Sequence, residues 1–286
     1  MIILGDSGLL RPGRWRWLAA IGWMVALFAV MSVLLFPGWL HAAPAYRNAV
    51  RIGSVLVAYA VYALAVRYGE RRAPVEIAAR PLLPELFAGL AIGAGMFALV
   101  FTRLRLLGVY TLAPGQWGDW PSDIVWALRT GFAEELLLRL VVFRLLMRAG
   151  GLWPALAISA LLFGAMHLAN PNATLVAALA IAVEAGLMLA AFYLVTGRIW
   201  MAVGVHAAWN FVQGPVFGAR VSGGTDTGSL FVSAPVQGSP DWLSGGAFGP
   251  EASLPAVIVG FVIFVVVLRT ALRRWNRDHV HGVGLS

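Results

Sequence analysis

The chain of 286 residues is 60% hydrophobic and only 12% charged, and its net charge is +8. Soluble domains carry about 25% charged residues, so the composition predicts an all-α, polytopic membrane protein rather than a soluble one. The absence of cysteine excludes disulfides, thiol nucleophiles and cysteine-ligated metals. All basic residues are arginines that cluster at the ends of apolar runs, without the interleaved aromatics of a nucleic-acid surface. Membrane lipid, and not nucleic acid, is therefore the expected partner of these arginines.

Apolar runs long enough to cross a bilayer, which takes about 20 residues, recur along the chain and predict eight transmembrane helices. They fall near residues 17–36, 49–66, 84–102, 122–147, 152–168, 173–195, 199–214 and 254–272. The first run is longer than the apolar core of a signal peptide, so we expect a retained helix. Arginines are more frequent in the segments that share a side with the N-terminus, which predicts that both termini are cytoplasmic.

Residues 214–253 form the one long stretch without helical periodicity. The stretch is rich in Gly, Ser and Pro, yet it also contains Phe217, Trp242 and Phe248. This mixture predicts a long extramembrane loop that folds back against the membrane face as a lid or partial plug. No internal repeat divides the chain, so residues 1–286 are expected to form a single membrane-embedded domain.

Ionisable side chains inside the apolar runs are the strongest functional signal. Glu134, Glu135 and Arg139 lie together in the fourth run, where an ionised group costs roughly 2.5–3.5 kcal/mol on insertion scales. Residues four apart share a helix face, so Glu135 can pair with Arg139, and Glu134 points about 100° away from that pair. An unpaired buried carboxylate is suited to general acid–base catalysis. The alternative is that both glutamates only anchor helix packing.

Two further clusters follow in the next apolar runs. His167 lies four residues after Phe163, and His206 lies four residues before Asn210, so each pair shares a helix face. A glutamate and two histidines from separate helices can bind zinc with an open position, or can activate water without a metal. An amide beside an imidazole is suited to stabilising a developing oxyanion. The sequence leaves the choice between metal and metal-free chemistry open.

Other reaction classes are less well matched. Glu184 is a further intramembrane acid that either orients a histidine in the same cavity or bonds a neighbouring helix. Ser159 lacks the surrounding sequence of a rhomboid-type nucleophile. Every aspartate lies outside a helix interior, which does not fit an aspartyl intramembrane protease.

The motifs Glu-Glu-x-x-x-Arg, Phe-x-x-x-His and His-x-x-x-Asn, in this order on successive helices, resemble those of the CAAX-protease and bacteriocin-processing (CPBP, or Abi) intramembrane proteases. The stretch 193–200, YLVTGRIW, is also similar to that of bacterial members. The resemblance covers residues 121–215, which are therefore the expected catalytic core. It implies an eight-helix fold and a bacterial inner-membrane location.

The resemblance also implies site roles. Glu134 and His167 would activate the attacking water, and His206 and Asn210 would stabilise the oxyanion. The expected supporting residues are Glu135, Arg139, Phe163 and Glu184. If a divalent metal such as zinc takes part, its expected ligands are Glu134, His167 and His206. Membrane-associated or prenylated-type peptides are the expected substrates.

Two other interpretations of the polar clusters remain. The residues could register helices in a non-enzymatic immunity or scaffold protein. They could also form the relay of a proton-coupled transporter, although the inverted repeats typical of transporters are absent from the sequence.

Overall fold

The computed structural model describes residues 7–36, 43–224 and 228–282, which are almost entirely helical. The helices in the first half of the chain are α1 Arg16–Leu35, α2 Arg47–Leu64, α3 Leu82–Leu106 and α4 Trp120–Glu135. Those that follow are α5 Arg144–Gly150, α6 Leu152–Met166, α7 Leu175–Ile181, α8 Met188–Thr196, α9 Trp200–Phe211, α10 Asp241–Ser244 and α11 Leu254–Gly282. Two-residue strands β1 Ala113–Pro114 and β2 Phe231–Val232 pair antiparallel.

Four π-helical segments extend or join these helices: Ala65–Gly69, Leu136–Phe143, Ala182–Leu187 and Val212–Val216. The second joins α4 to α5 and the third joins α7 to α8, so that each pair forms one continuous helical rod. A π turn inserts an extra residue into the helix and is often found at functional sites. The last three segments lie beside or contain Glu135, Glu184 and Asn210.

Six helices of the described residues are long and apolar enough to cross a membrane: Arg16–Leu35, Arg47–Gly69, Leu82–Leu106, Leu152–Ala169, Leu175–Thr196 and Leu254–Arg277. The prediction of an all-α membrane protein is confirmed, whereas the count of eight spans is not. The other two predicted runs, 122–147 and 199–214, are helical but contain the Glu134 and His206 clusters. The first run carries several charged side chains, and the helical part of the second, Trp200–Val216, is shorter than the roughly 20 residues that a span needs.

Hydrogen bonds between connecting segments define two ends of the bundle. At the end where α1 begins, the α1 end, Trp200 Nε1 donates to the Ala78 carbonyl (2.8 Å) and Arg148 donates to the Leu10 carbonyl (2.9 Å). At the end where α4 begins, the α4 end, Asn48 donates to Ser122 (2.8 Å). Each end therefore gathers connections that are distant in sequence.

Helix α9 packs most extensively on α3, and glycines make this close approach possible. A Cβ on Gly89 would lie 2.3 Å from the Met201 carbonyl oxygen, and one on Gly204 would lie 2.3 Å from that of Leu86. Close backbone approach through small residues is the usual way in which membrane helices associate. The crossing holds α9 in the interior, where residues Trp200 and Ala202 to Asn210 are all buried.

A buried ionic cluster stabilises the α1 end. Arg144 donates two hydrogen bonds to the fully buried Glu70 carboxylate (2.7 and 2.9 Å), and Arg72 contacts both Glu70 (2.8 Å) and Glu76 (2.7 Å). Trp23 donates to the same Glu70 carboxylate. The cluster thus connects α1, the α2–α3 connection and α5, and paired charges of this kind are costly to break singly.

The segment 214–253, as far as the structure describes it, packs at the α4 end. Phe217 stacks on Phe101 with ring centroids 4.2 Å apart, Phe248 is buried, and β2 pairs with β1 of the α3–α4 connection. Trp242 is exposed. The division into one domain, a core at 121–215 and an extramembrane loop at 214–253 stays a prediction.

Candidate active site

Glu134 and Glu135 occupy the last two positions of α4 and point in different directions. Glu135 is fully buried and lies between two partners: its Oε1 is 2.9 Å from His206 Nδ1, and its Oε2 is 3.0 Å from Arg139 Nε. The predicted i, i+4 pair of Glu135 and Arg139 is therefore present. The Glu134 side chain is 20% exposed, and its Oε2 lies 3.8 Å from His206 Nε2.

Arg139 is almost completely buried and connects the first cluster to its neighbours. It donates to the carbonyl of Ala185 (3.1 Å), and its Cζ lies 4.7 Å from the centroid of the Phe163 ring. A guanidinium over an aromatic face is stabilised by the ring quadrupole. Arg139 thereby fixes Glu135 relative to both the Ala182–Leu187 π segment and α6.

The tautomers of the two histidines follow from their Nδ1 partners. His167 Nδ1 is 2.8 Å from the Phe163 carbonyl, and His206 Nδ1 is 2.9 Å from Glu135. Because a carbonyl or carboxylate oxygen only accepts, each Nδ1 carries the proton and donates it. Nε2 of neutral His167 is then an acceptor that can serve as a base.

Aromatic contacts hold the two rings next to one another. The Phe163 ring centroid lies 4.9 Å from that of His167 and 6.0 Å from that of His206. Phe163 therefore contacts both imidazoles and Arg139, and its expected supporting role stays a prediction.

One cavity of about 270 Å³ brings the predicted site residues together. Its lining includes Glu134, His167, Glu184, His206, Asn210, Trp126, Thr130, Phe163, Trp209, Ser222 and Glu251. His206 and Asn210 are 7% and 6% exposed, so the cavity floor is largely shielded from the surroundings. Their roles in chemistry, and that of Glu134, stay predictions.

Two further acids, Glu184 and Glu251, line this cavity. Glu184 is 1% exposed, and its Oε2 is buried without a hydrogen-bond partner in the described part of the chain. Glu251, between the cavity and α11, accepts hydrogen bonds from the backbone N–H (2.7 Å) and the hydroxyl (2.9 Å) of Ser222. Burial raises the pKa of Glu251, and the nearby imidazole of His167 opposes that rise.

Sequence reasoning missed Glu251 and Ser222. Both lie in the segment 214–253, where no helical spacing relates them to His167 or Glu134. The only signal was compositional, since Glu251 is a lone acid between Pro250 and Ala252 directly before an apolar run.

The metal ligands proposed from the sequence do not form a compact ligand set. Among residues 7–36, 43–224 and 228–282, no group of three His, Asp or Glu side chains is arranged to hold a metal ion. Glu134 Oε2 lies 3.8 Å from His206 Nε2, while His206 Nδ1 faces Glu135. The divalent metal stays a prediction.

A comparison with known protein families gives a match over the segment that contains most of these site residues. Residues 116–212 match the model of the family described as type II CAAX prenyl endopeptidase Rce1-like. Over this segment the chain is similar to the Rce1-like family. The match confirms the resemblance to CPBP proteases that the three motifs indicated, and no curated protein matches the chain.

The Rce1-like segment contains Glu134, His167, Glu184, His206 and Asn210. It begins in the connection before α4 and ends in the π segment after α9. Ser222 and Glu251 lie beyond it, so the outer wall of the cavity is built by a part of the chain that the family model does not match.

Proposed function

We propose that the protein is an intramembrane endopeptidase that hydrolyses peptide bonds of membrane-associated substrates, including CAAX-type prenylated ones, with water activated by Glu134 and His167. The observation that carries the proposal is the arrangement of Glu134, His167, His206 and Asn210 around one cavity. The Rce1-like match supports the same class of reaction.

The first step is activation of water. Among the described residues Glu134 forms no ion pair with an arginine, unlike Glu135, and its carboxylate lies at the cavity wall. It accepts a proton from water as the oxygen attacks the substrate carbonyl carbon. His167 Nε2 is a second acceptor that orients the same water, since Nδ1 is held by the Phe163 carbonyl. Collapse of the intermediate breaks the C–N bond, and the proton passes to the leaving amine.

Charge on the substrate oxygen is stabilised from α9. The Asn210 amide donates to the oxyanion, and His206 donates from Nε2 when its ring is protonated. The Glu135 carboxylate stabilises that imidazolium from 2.9 Å. Removal of one oxyanion-hole donor costs roughly 10²–10³-fold in kcat in a well-studied protease, and we expect a loss of that size for Asn210→Ala.

Supporting residues act through these groups. Glu135, fixed by Arg139, holds the His206 ring in its orientation, and the Phe163 ring packs against both imidazoles. Positioning of this kind maintains reacting atoms within the narrow range that hydrolysis requires.

The test is cleavage of an internally quenched peptide joined to a membrane anchor, in liposomes containing the purified protein. Glu134→Gln should abolish cleavage and leave the melting temperature unchanged. Glu85→Gln is the matched control, because Glu85 pairs with Arg198 at the α1 end and does not line the cavity. Retained cleavage in Glu134→Gln would contradict the proposal.

The same assay addresses the metal. Activity that is lost after treatment with EDTA and restored by Zn²⁺ would support the predicted metal, and Glu134→Ala should then lower zinc affinity. Activity that persists after EDTA would support water activation by Glu134 and His167 alone.

The two other interpretations predict different results. A scaffold or immunity protein would show no cleavage in any variant, although Glu135→Gln and Arg139→Leu would lower stability. A transporter would move protons across sealed liposomes, which a peptidase does not.

A further inference from the structure

Exposed and half-buried lining residues show that the cavity reaches the surface at one end of the bundle. Its rim consists of Asn170 and Pro171 from the α6–α7 connection, and of Val221, Ser222 and Gly224 from the segment after α9. Pro171 is exposed and the other four are half-buried, whereas Ile181 and Glu184 deeper in the cavity are buried. All five rim residues belong to the α4 end.

Contacts across the rim keep these connections together. Asn172 Nδ2 donates to the Gly223 carbonyl (3.3 Å), and the Gly223 N–H donates to the Phe248 carbonyl (2.7 Å). Gly223 has φ of +81°, and a Cβ there would lie 1.8 Å from the Pro171 carbonyl oxygen. The rim therefore requires glycine at this point. Within the part of the chain that the structure describes, no lining residue comes from the connections at the α1 end, such as 70–81 or 197–199.

Arginines are distributed unequally between the two ends. In the described part of the chain, and apart from the buried Arg139 and Arg144, thirteen lie at the α1 end: Arg11, Arg14, Arg16, Arg67, Arg71, Arg72, Arg80, Arg148, Arg198, Arg269, Arg273, Arg274 and Arg277. Six lie at the α4 end: Arg47, Arg51, Arg103, Arg105, Arg129 and Arg220. Arginine and lysine in short connections are retained on the cytoplasmic side during insertion, so this excess places the α1 end in the cytoplasm.

We propose that the catalytic cavity opens on the non-cytoplasmic side of the membrane and that its substrates are peptide segments exposed there beside a membrane anchor. The proposal rests on the proposed peptidase function for the chemistry, but the side of entry follows from the cavity rim and the arginines alone. A cytoplasmic peptide would meet the α1 end, where the Glu70 carboxylate and the Arg144 guanidinium are fully buried and paired at 2.7 Å.

Cysteine labelling tests the side of entry without any need for activity. Because the chain has no cysteine, a single introduced thiol reports on one position. Gln237→Cys lies exposed at the α4 end, and Ala79→Cys lies exposed at the α1 end. In intact spheroplasts, a membrane-impermeant maleimide should label Gln237→Cys, whereas Ala79→Cys should react only after permeabilisation. The reverse pattern, or labelling of both thiols in intact spheroplasts, would overturn the proposal.

Cleavage in oriented vesicles tests from which side of the membrane a peptide substrate reaches the cavity. A water-soluble, impermeant quenched peptide added outside right-side-out vesicles should be cleaved, and in inside-out vesicles cleavage should require detergent. Cleavage by intact inside-out vesicles, with right-side-out vesicles needing detergent, would overturn the side of entry and leave the peptidase function standing. If neither preparation cleaves the anchored or the soluble peptide even in detergent, the peptidase function fails and labelling alone decides the orientation.

Discussion

Replacement of Gly93 by alanine tests whether the α3–α9 crossing positions the proposed oxyanion site. A Cβ on Gly93 would lie 2.2 Å from the carbonyl oxygen of Val205, the residue directly before His206. Because real Cβ contacts are longer than 3.0 Å, the helices must separate by at least about 0.8 Å. A misplacement of about 1 Å can cost roughly 10²-fold in rate, so Gly93→Ala should lower kcat/KM by about that factor.

Gly95→Ala on the same helix is the matched control, since a Cβ there meets nothing within 4 Å. Both variants gain the same helix propensity, so the difference between them isolates the crossing. Overpacking costs about 1–3 kcal/mol, and the free energy of unfolding of Gly93→Ala in detergent should lie below that of Gly95→Ala by this amount. Equal cleavage rates and equal stabilities in the two variants would refute the reasoning.

Two further outcomes concern the buried charges. Glu135→Gln leaves the Arg139 guanidinium buried without its counter-charge, so we expect the free energy of unfolding to fall by about 3–5 kcal/mol. Glu134→Gln should change the free energy of unfolding by less than about 1 kcal/mol. Equal losses of the two variants in denaturant unfolding would contradict this expectation. Burial opposes ionisation of Glu76, but the hydrogen bond from Arg72 and the nearby guanidinium charges outweigh burial and lower its pKa below 4.5. Its ionised form therefore contributes stability that is fully present above pH 4.5 and is lost as the pH falls below that value. In melting experiments Glu76→Gln should be less stable than the wild type at pH 7, and the difference should shrink toward pH 3; a constant difference would contradict the assignment.

Local spacing was sufficient to predict the helices and the neighbours on one helix face. The pairing of Glu135 with Arg139, and the closeness of Phe163 to His167, both follow from a separation of four residues. The π segments did not disturb these relations, because Leu136–Phe143 keeps Arg139 beside Glu135. The count of eight spans, predicted from apolar runs, is not confirmed, because the run at 122–147 is heavily charged and the helix in the run at 199–214 is short.

Relations between distant residues could not be predicted in this way. Glu70 and Arg144 lie 74 residues apart, and nothing in either neighbourhood specifies the other as its partner. The same is true of Glu251, which reaches the cavity through the fold of the segment 214–253. Such contacts depend on which helices become neighbours in the fold. No local pattern in a single sequence specifies these neighbours, because the contacting residues are far apart along the chain.

The late position of Glu251 has a consequence for biogenesis. The cavity is lined by α4 from the first half of the chain, by α9 from the second half, and by Ser222 and Glu251, which precede the last helix. A ribosome-bound chain therefore lacks part of the cavity until α11 begins to emerge. If the proposed peptidase function holds, cleavage requires a chain whose synthesis is almost finished, and it can serve as a measure of completed assembly in the membrane.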